Sequence, residues 1–109
     1  NEVKEYNMYL NDKEEKIIEP LFDVLDIIAG KPVMLEWNDG SCAIATIDIV
    51  FEDMDEDEND ENFEEYYSFV FRSISVTGKP PISVSGDNLF LVNYRNFPKS
   101  IKLNGENII

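Results

Sequence analysis

Between residues 13 and 29 the apolar side chains recur at helical spacing. Ile18, Phe22, Leu25 and Ile28 form one stripe, Ile17, Leu21 and Val24 lie beside it, and acids and lysines fill most of the rest. Pro20 falls inside this pattern. A proline is best accommodated in a first turn, so either the helix begins near Pro20 or a longer helix is kinked there. Gly30 supplies a C-terminal cap, and Lys31-Pro32 prevents continuation. After Gly30 the period changes to two. Val33, Leu35 and Trp37 alternate with Met34 and Glu36, and Asn38-Asp39-Gly40 is a strong hairpin signal. The return strand puts Ala43, Ala45, Ile47, Ile49 and Phe51 on one face, with Ile44, Thr46, Asp48 and Val50 on the other. Tyr66 to Val76 reads as a long strand rich in aromatic and β-branched residues. Turns follow at Thr77–Pro81 and Ser85–Asn88, then strands at Leu89–Tyr94 and Ile101–Leu103, separated by Phe97-Pro98. Residues 1–12 show only a weak alternation, through Met8 and Leu10, that fits a short strand.

The 109 residues make one domain, 1–109, without an internal repeat. One helix followed by about five strands is an α+β domain, mainly antiparallel β, built as a bent sheet or a small open barrel with the helix closing one end. The order of helix, Gly30-Lys31-Pro32-Val33, strand and Asp39-Gly40 turn resembles the opening of an Sm-like or SH3-like barrel. The resemblance covers Leu21 to about Phe51. Ala45 and Thr46 stand where that family has a glycine, and Asn104-Gly105-Glu106-Asn107 only echoes its RNA-contacting turn. The likeness is one of shape, and no functional residue is carried over.

Charge changes the picture. There are 23 acids against 9 bases, a net charge of -14, and no histidine. The stretch Glu52–Glu65 holds 10 acids in 14 positions and no base, whereas residues 66–109 carry 2 acids and 5 bases. Unpaired carboxylates cannot be buried cheaply, so 52–65 is expected to be a solvent-exposed, extended acidic loop. Such a field repels phosphate backbones and anionic membranes, which disfavours direct nucleic-acid or membrane binding. The lack of histidine removes the commonest general base and nitrogen ligand. A lone cysteine, Cys42, cannot form an internal disulfide and points to a reducing compartment or a chain indifferent to redox; a cytoplasmic setting is expected. No leader-like run opens the chain, and no apolar run approaches the ~20 residues of a membrane span.

Candidate chemistry is sparse. From Asp53, acids fall at Asp53, Asp55, Asp57 and Glu64 with the spacing of an EF-hand calcium loop, and Asn59 and Glu61 occupy further ligand positions. Glu58 stands where that loop needs glycine, and the flanks read as strands, so a plain charge run is favoured over a metal site. The aromatic set Tyr66, Tyr67, Phe69, Phe71, Phe90, Tyr94 and Phe97 reads first as core. No pair of carboxylates is set apart for acid–base work, and neither an enzyme nor a cofactor is expected. A strongly negative surface instead accelerates association with a basic partner. The expectation is a small protein-binding inhibitor, such as a bacterial immunity protein against a basic nuclease-type toxin, or a nucleic-acid mimic. The assigned contact residues are Glu52, Asp53, Asp55, Glu56, Asp57, Glu58, Asp60, Glu61, Glu64 and Glu65, with Trp37 as apolar anchor. The alternative is a non-catalytic SH3/Sm-like scaffold or oligomeric assembly module in which acidity serves solubility.

Overall fold

A computed structural model describes residues 9–109; the strand expected through Met8 falls partly outside them, and Tyr9 and Leu10 form bends. Helix α1 runs Glu15–Ile28 with Pro20 inside it, so the longer of the two expected helices forms. It stops on a type II turn. Ala29 has φ -54° and ψ 123°, Gly30 has φ +73°, and the Lys31 N–H donates to the Ile28 carbonyl at 2.9 Å. The second turn position needs a positive φ, which is why glycine stands there.

Six strands follow: β1 (Val33–Glu36), β2 (Cys42–Met54), β3 (Glu65–Thr77), β4 (Leu89–Val92), β5 (Ser100–Leu103) and β6 (Glu106–Asn107). The sixth, a two-residue strand after the Asn104-Gly105 turn, adds to the five expected. All pairings are antiparallel in the order β4-β3-β2-β1-β5-β6. The α+β, mainly antiparallel class expected from the sequence is what the chain adopts. The sheet is open, with β4 and β6 as edges, and does not close as an Sm-like or SH3-like barrel would. At the β1–β2 turn the positive φ falls on Gly40 (+87°), and the Asp39 carboxylate accepts the Ser41 N–H at 2.9 Å.

Helix α1 lies on one face of the sheet. Ile18, Leu21 and Ile28 are fully buried against Leu35, Phe69, Phe71, Phe90, Val92 and Ile101. The Phe71 and Phe90 rings stack with centroids 5.6 Å apart. The alternation expected along β2 does not persist. The β2–β3 register shifts between Ile44 and Ala45 and again between Ile47 and Ile49. The second bulge brings both Ile47 and Val50 to the core and turns Ile49 and Phe51 to the opposite face, 56% and 37% exposed.

Beyond β4, the edge of β3 is covered by the segment that leads into α1. Glu14, fully buried at the helix start, accepts the Leu10 N–H at 2.8 Å and the Tyr67 N–H at 2.9 Å. The Asn11 amide donates to the Glu65 carbonyl at 2.8 Å. Strand groups that would otherwise lie unpaired are thereby satisfied beside the acidic hairpin.

Candidate functional site: the clamped acidic hairpin

The β2–β3 hairpin carries the acidic segment, but pairing runs further into it than charge alone suggests. Glu52 pairs with Tyr67, Asp53 with Tyr66 and Met54 with Glu65. The expected loop 52–65 is therefore narrowed to 55–64. A ladder can include such acids because their side chains project from the sheet while the backbone stays paired. The loop also has a defined shape. Its neck closes through the Asp55 N–H donating to the Glu64 carbonyl at 3.0 Å. Two turns follow, with the Asp60 N–H on the Asp57 carbonyl and the Phe63 N–H on the Asp60 carbonyl, both at 3.0 Å. The Asp57 and Asp60 carboxylates accept the N–H groups of Asn59 and Asn62 at 3.0 and 2.7 Å, which favours these turns over an extended chain.

Arg95, from the turn after β4, holds the neck. Its guanidinium makes a two-pronged contact with Asp55, at 2.8 and 3.0 Å, and reaches Glu64 at 2.7 Å. It also lies 4.7 Å above the Tyr66 ring centre. A planar fork suits this geometry, which a lysine could not reproduce. Glu64 receives two more donors, the Tyr94 hydroxyl and the Lys13 ammonium, the latter at 2.7 Å. The Glu64 carboxyl is consequently held at about 2 instead of its ordinary 4.5, by Lys13 first, then Tyr94 and Arg95. Asp55 is also lowered, chiefly by Arg95, and Arg95 itself is raised by Asp55 and Glu64.

These shifts predict how the clamp responds to acid. The unfolded chain protonates Glu64 near 4.5 and the folded chain only near 2, so the stabilisation is complete above that upper value and is lost as pH falls toward the lower. Asp55 acts in the same direction. Glu64→Gln should cost roughly 1–2 kcal/mol at neutral pH, the range of a charge-assisted hydrogen bond discounted for the partly exposed Arg95. Urea unfolding of both proteins at neutral pH and near pH 2 checks this: the difference should shrink toward zero in acid. A difference of equal size at both ends would contradict the clamp.

The remaining acids divide by position. Glu56, Asp57, Glu58, Asp60 and Glu61 are exposed, and none enters an ion pair among the described residues. Glu52 and Glu65 are exposed on the paired strands, and Asp53 accepts the Ser68 hydroxyl at 2.8 Å. Of the EF-hand spacing only Asp55 and Glu64 come together, and they close on the Arg95 guanidinium, while Asp53 stays in the ladder. Among the described residues no three acids or cysteines form a group that could hold a metal.

Trp37 is placed differently from the surface anchor expected. It is 5% exposed, and its indole N–H donates to the Asn96 carbonyl at 2.7 Å, so it ties down the turn that carries Arg95. Its neighbours on β1 alternate into the core, and the ring follows them. Cys42 is half-buried in β2 opposite Thr77. The sequence reading missed Arg95, Tyr94 and Lys13 as parts of the acidic site. Arg95 lies 31 and 40 residues from its two partners, and nothing local marks it as a clamp.

No curated protein and no solved structure matches the chain. A family model does: that of the cognate immunity protein YxxD, over residues 16–108. This match takes in α1 from its second residue, all six strands and the hairpin with Arg95, and the chain belongs to the YxxD family of cognate immunity proteins.

Proposed function

We propose that the chain neutralises a basic, nuclease-type toxin by presenting the exposed carboxylates of the β2–β3 hairpin to the cationic surface with which such an enzyme grips phosphate. Membership of a cognate immunity family supports a toxin partner. The observation that carries the finer reading is the contrast within the hairpin. Its neck is held by Arg95, while Glu56, Asp57, Glu58, Asp60 and Glu61 are exposed and meet no cation among the described residues. Fixing the loop before binding lowers the ordering cost on association. Leaving the tip unneutralised preserves a field that raises encounter rates with a basic surface by ~10–10³ and repels acidic competitors. The protein acts as an inhibitor without chemistry of its own, in the bacterial cytoplasm where a nuclease would find its substrate.

The test is capture on the immobilised chain at low and high salt, followed by assay of the captured toxin. The expected result is a basic protein retained at low salt, released at high salt, and inactive on nucleic acid while bound one to one. A neutral or acidic toxin, retention indifferent to salt, or full nuclease activity in the complex would contradict the reading.

A further inference from the structure

The bulge between Ile47 and Ile49 turns two large apolar side chains away from the core, and they do not stand alone. Paired residues in an antiparallel sheet share a face. Ile49 lies opposite Val70, Val70 opposite Leu91, and Phe51 opposite Ser68. Ile49, Phe51 and Leu91 are 56%, 37% and 41% exposed, while Val70 between them is 7% exposed. This row occupies the face turned away from α1, because Phe69, Phe71, Phe90 and Val92 take the helix side. Leu91 also lines an open groove with Pro81, Ile82 and Asn96. Unbroken alternation would have carried Ile49 and Phe51 inward; the bulge leaves them on this face and puts Val50 on the core. A contiguous apolar patch with a polar rim marks an interaction surface.

Charge selects the occupant. The same two strands continue from this patch into the acidic hairpin, whereas at its other end Asp48 is paired with Arg72 at 3.7 Å, so the negative charge beside the patch lies on the hairpin side. A second copy would bring two chains of net charge -14 and their acidic hairpins together. An anionic lipid surface is repelled in the same way. The geometry points to a cationic protein partner, with an apolar side chain seated on Ile49, Val70, Phe51 and Leu91 and lysines or arginines around it facing the hairpin. This assignment rests on the basic-toxin reading above and adds the place of docking. The hairpin governs arrival and the apolar face governs residence, since buried apolar contacts act on dissociation and rim charges on association.

The test is a triple variant, Ile49→Thr, Phe51→Thr and Leu91→Thr, which keeps strand-forming side chains at exposed positions. The probe is the toxin captured on the wild-type chain, purified in catalytically inactivated form, with Ile27→Gln on the helix, also 50% exposed, as control. The triple variant should melt within a few degrees of wild type and associate at the wild-type rate with the same salt dependence. It should dissociate at least tenfold faster, and the control should not. Wild-type dissociation by a folded triple variant would overturn the docking face even where salt-sensitive association upholds the basic-toxin reading. Association indifferent to salt would remove that reading and the assignment resting on it. Concentration-dependent self-association of the wild-type chain, lost in the triple variant, would overturn the assignment in favour of a second copy.

Discussion

Replacing Trp37 by alanine is expected to cost about 3–5 kcal/mol of stability, the range for deleting a large buried aromatic. The ring is 5% exposed within the cluster that includes Leu35 and Ile101, and its indole N–H satisfies the Asn96 carbonyl. The variant leaves a cavity and removes the donor from that carbonyl, and relaxation fills the space only in part. For a domain of this size the loss lowers the melting temperature by roughly 12–20 °C. Asn96 adjoins Arg95, and its own side chain accepts the Asn93 N–H at 2.7 Å and donates to the Pro81 and Leu91 carbonyls. The Trp37 ring thus supports the turn that aims the clamp. Trp37→Phe keeps most of the packing and loses the hydrogen bond, so its cost should fall between alanine and wild type. Thermal unfolding of the three proteins checks the ordering. An alanine variant that melts with wild type but releases its toxin faster would restore Trp37 to the surface role expected from its place beside a turn.

The elements most legible in the sequence are those set by local chemistry. Gly30 ends the helix because a type II turn needs a positive φ there, and Asp39-Gly40 closes the first hairpin for a related reason. Of the stripe Ile18, Phe22, Leu25 and Ile28, the first and last are fully buried and the middle two pack on the core in part. Leu21, read as lying beside it, is fully buried, and the phenylalanines of β3 and β4 are core. Register was less legible. Period-two reading carried Ile49 and Phe51 inward, whereas a single inserted residue reverses the parity of everything beyond it. No residue type forces a bulge at Asp48, so the reversal depends on how β2 meets β3. Acid count alone suggested an extended loop, and the missing information was again non-local. Asp55 and Glu64 are structural because Arg95 comes from another turn of the chain, and Glu14 is buried because two backbone N–H groups converge on it. Of the contact residues proposed from sequence, Trp37 is buried and Glu52, Asp53 and Glu65 lie on the paired strands, and the acids of the loop itself divide by role. Asp55 and Glu64 close the neck, Asp57 and Asp60 hold the turns while staying exposed, and Glu56, Glu58 and Glu61 are exposed; the five exposed acids are the ones proposed to meet a partner.

That division says which charges to remove. Glu56→Gln, Asp57→Asn, Glu58→Gln and Glu61→Gln together delete four exposed charges and leave Asp55, Glu64 and Arg95 in place. The asparagine at position 57 still accepts the Asn59 N–H, so the turn survives. Exposed charges contribute little to folding, and less self-repulsion at the tip leaves stability unchanged or slightly higher. The effect should fall on encounter. With the field weakened, association with the toxin slows roughly ten- to a hundredfold at low salt. Dissociation changes far less, because rim charges contribute little once the complex is formed. Added salt should erase the difference, since it screens the wild-type hairpin toward the condition the substitutions create. The decisive measurement is the association rate constant of wild type and the four-charge variant with the purified toxin across a salt series. The account predicts a steep wild-type salt dependence, a shallow one for the variant, and convergence at high salt. Equal association rates for the two proteins at every salt concentration would contradict it and reduce the acidic hairpin to a solubilising loop.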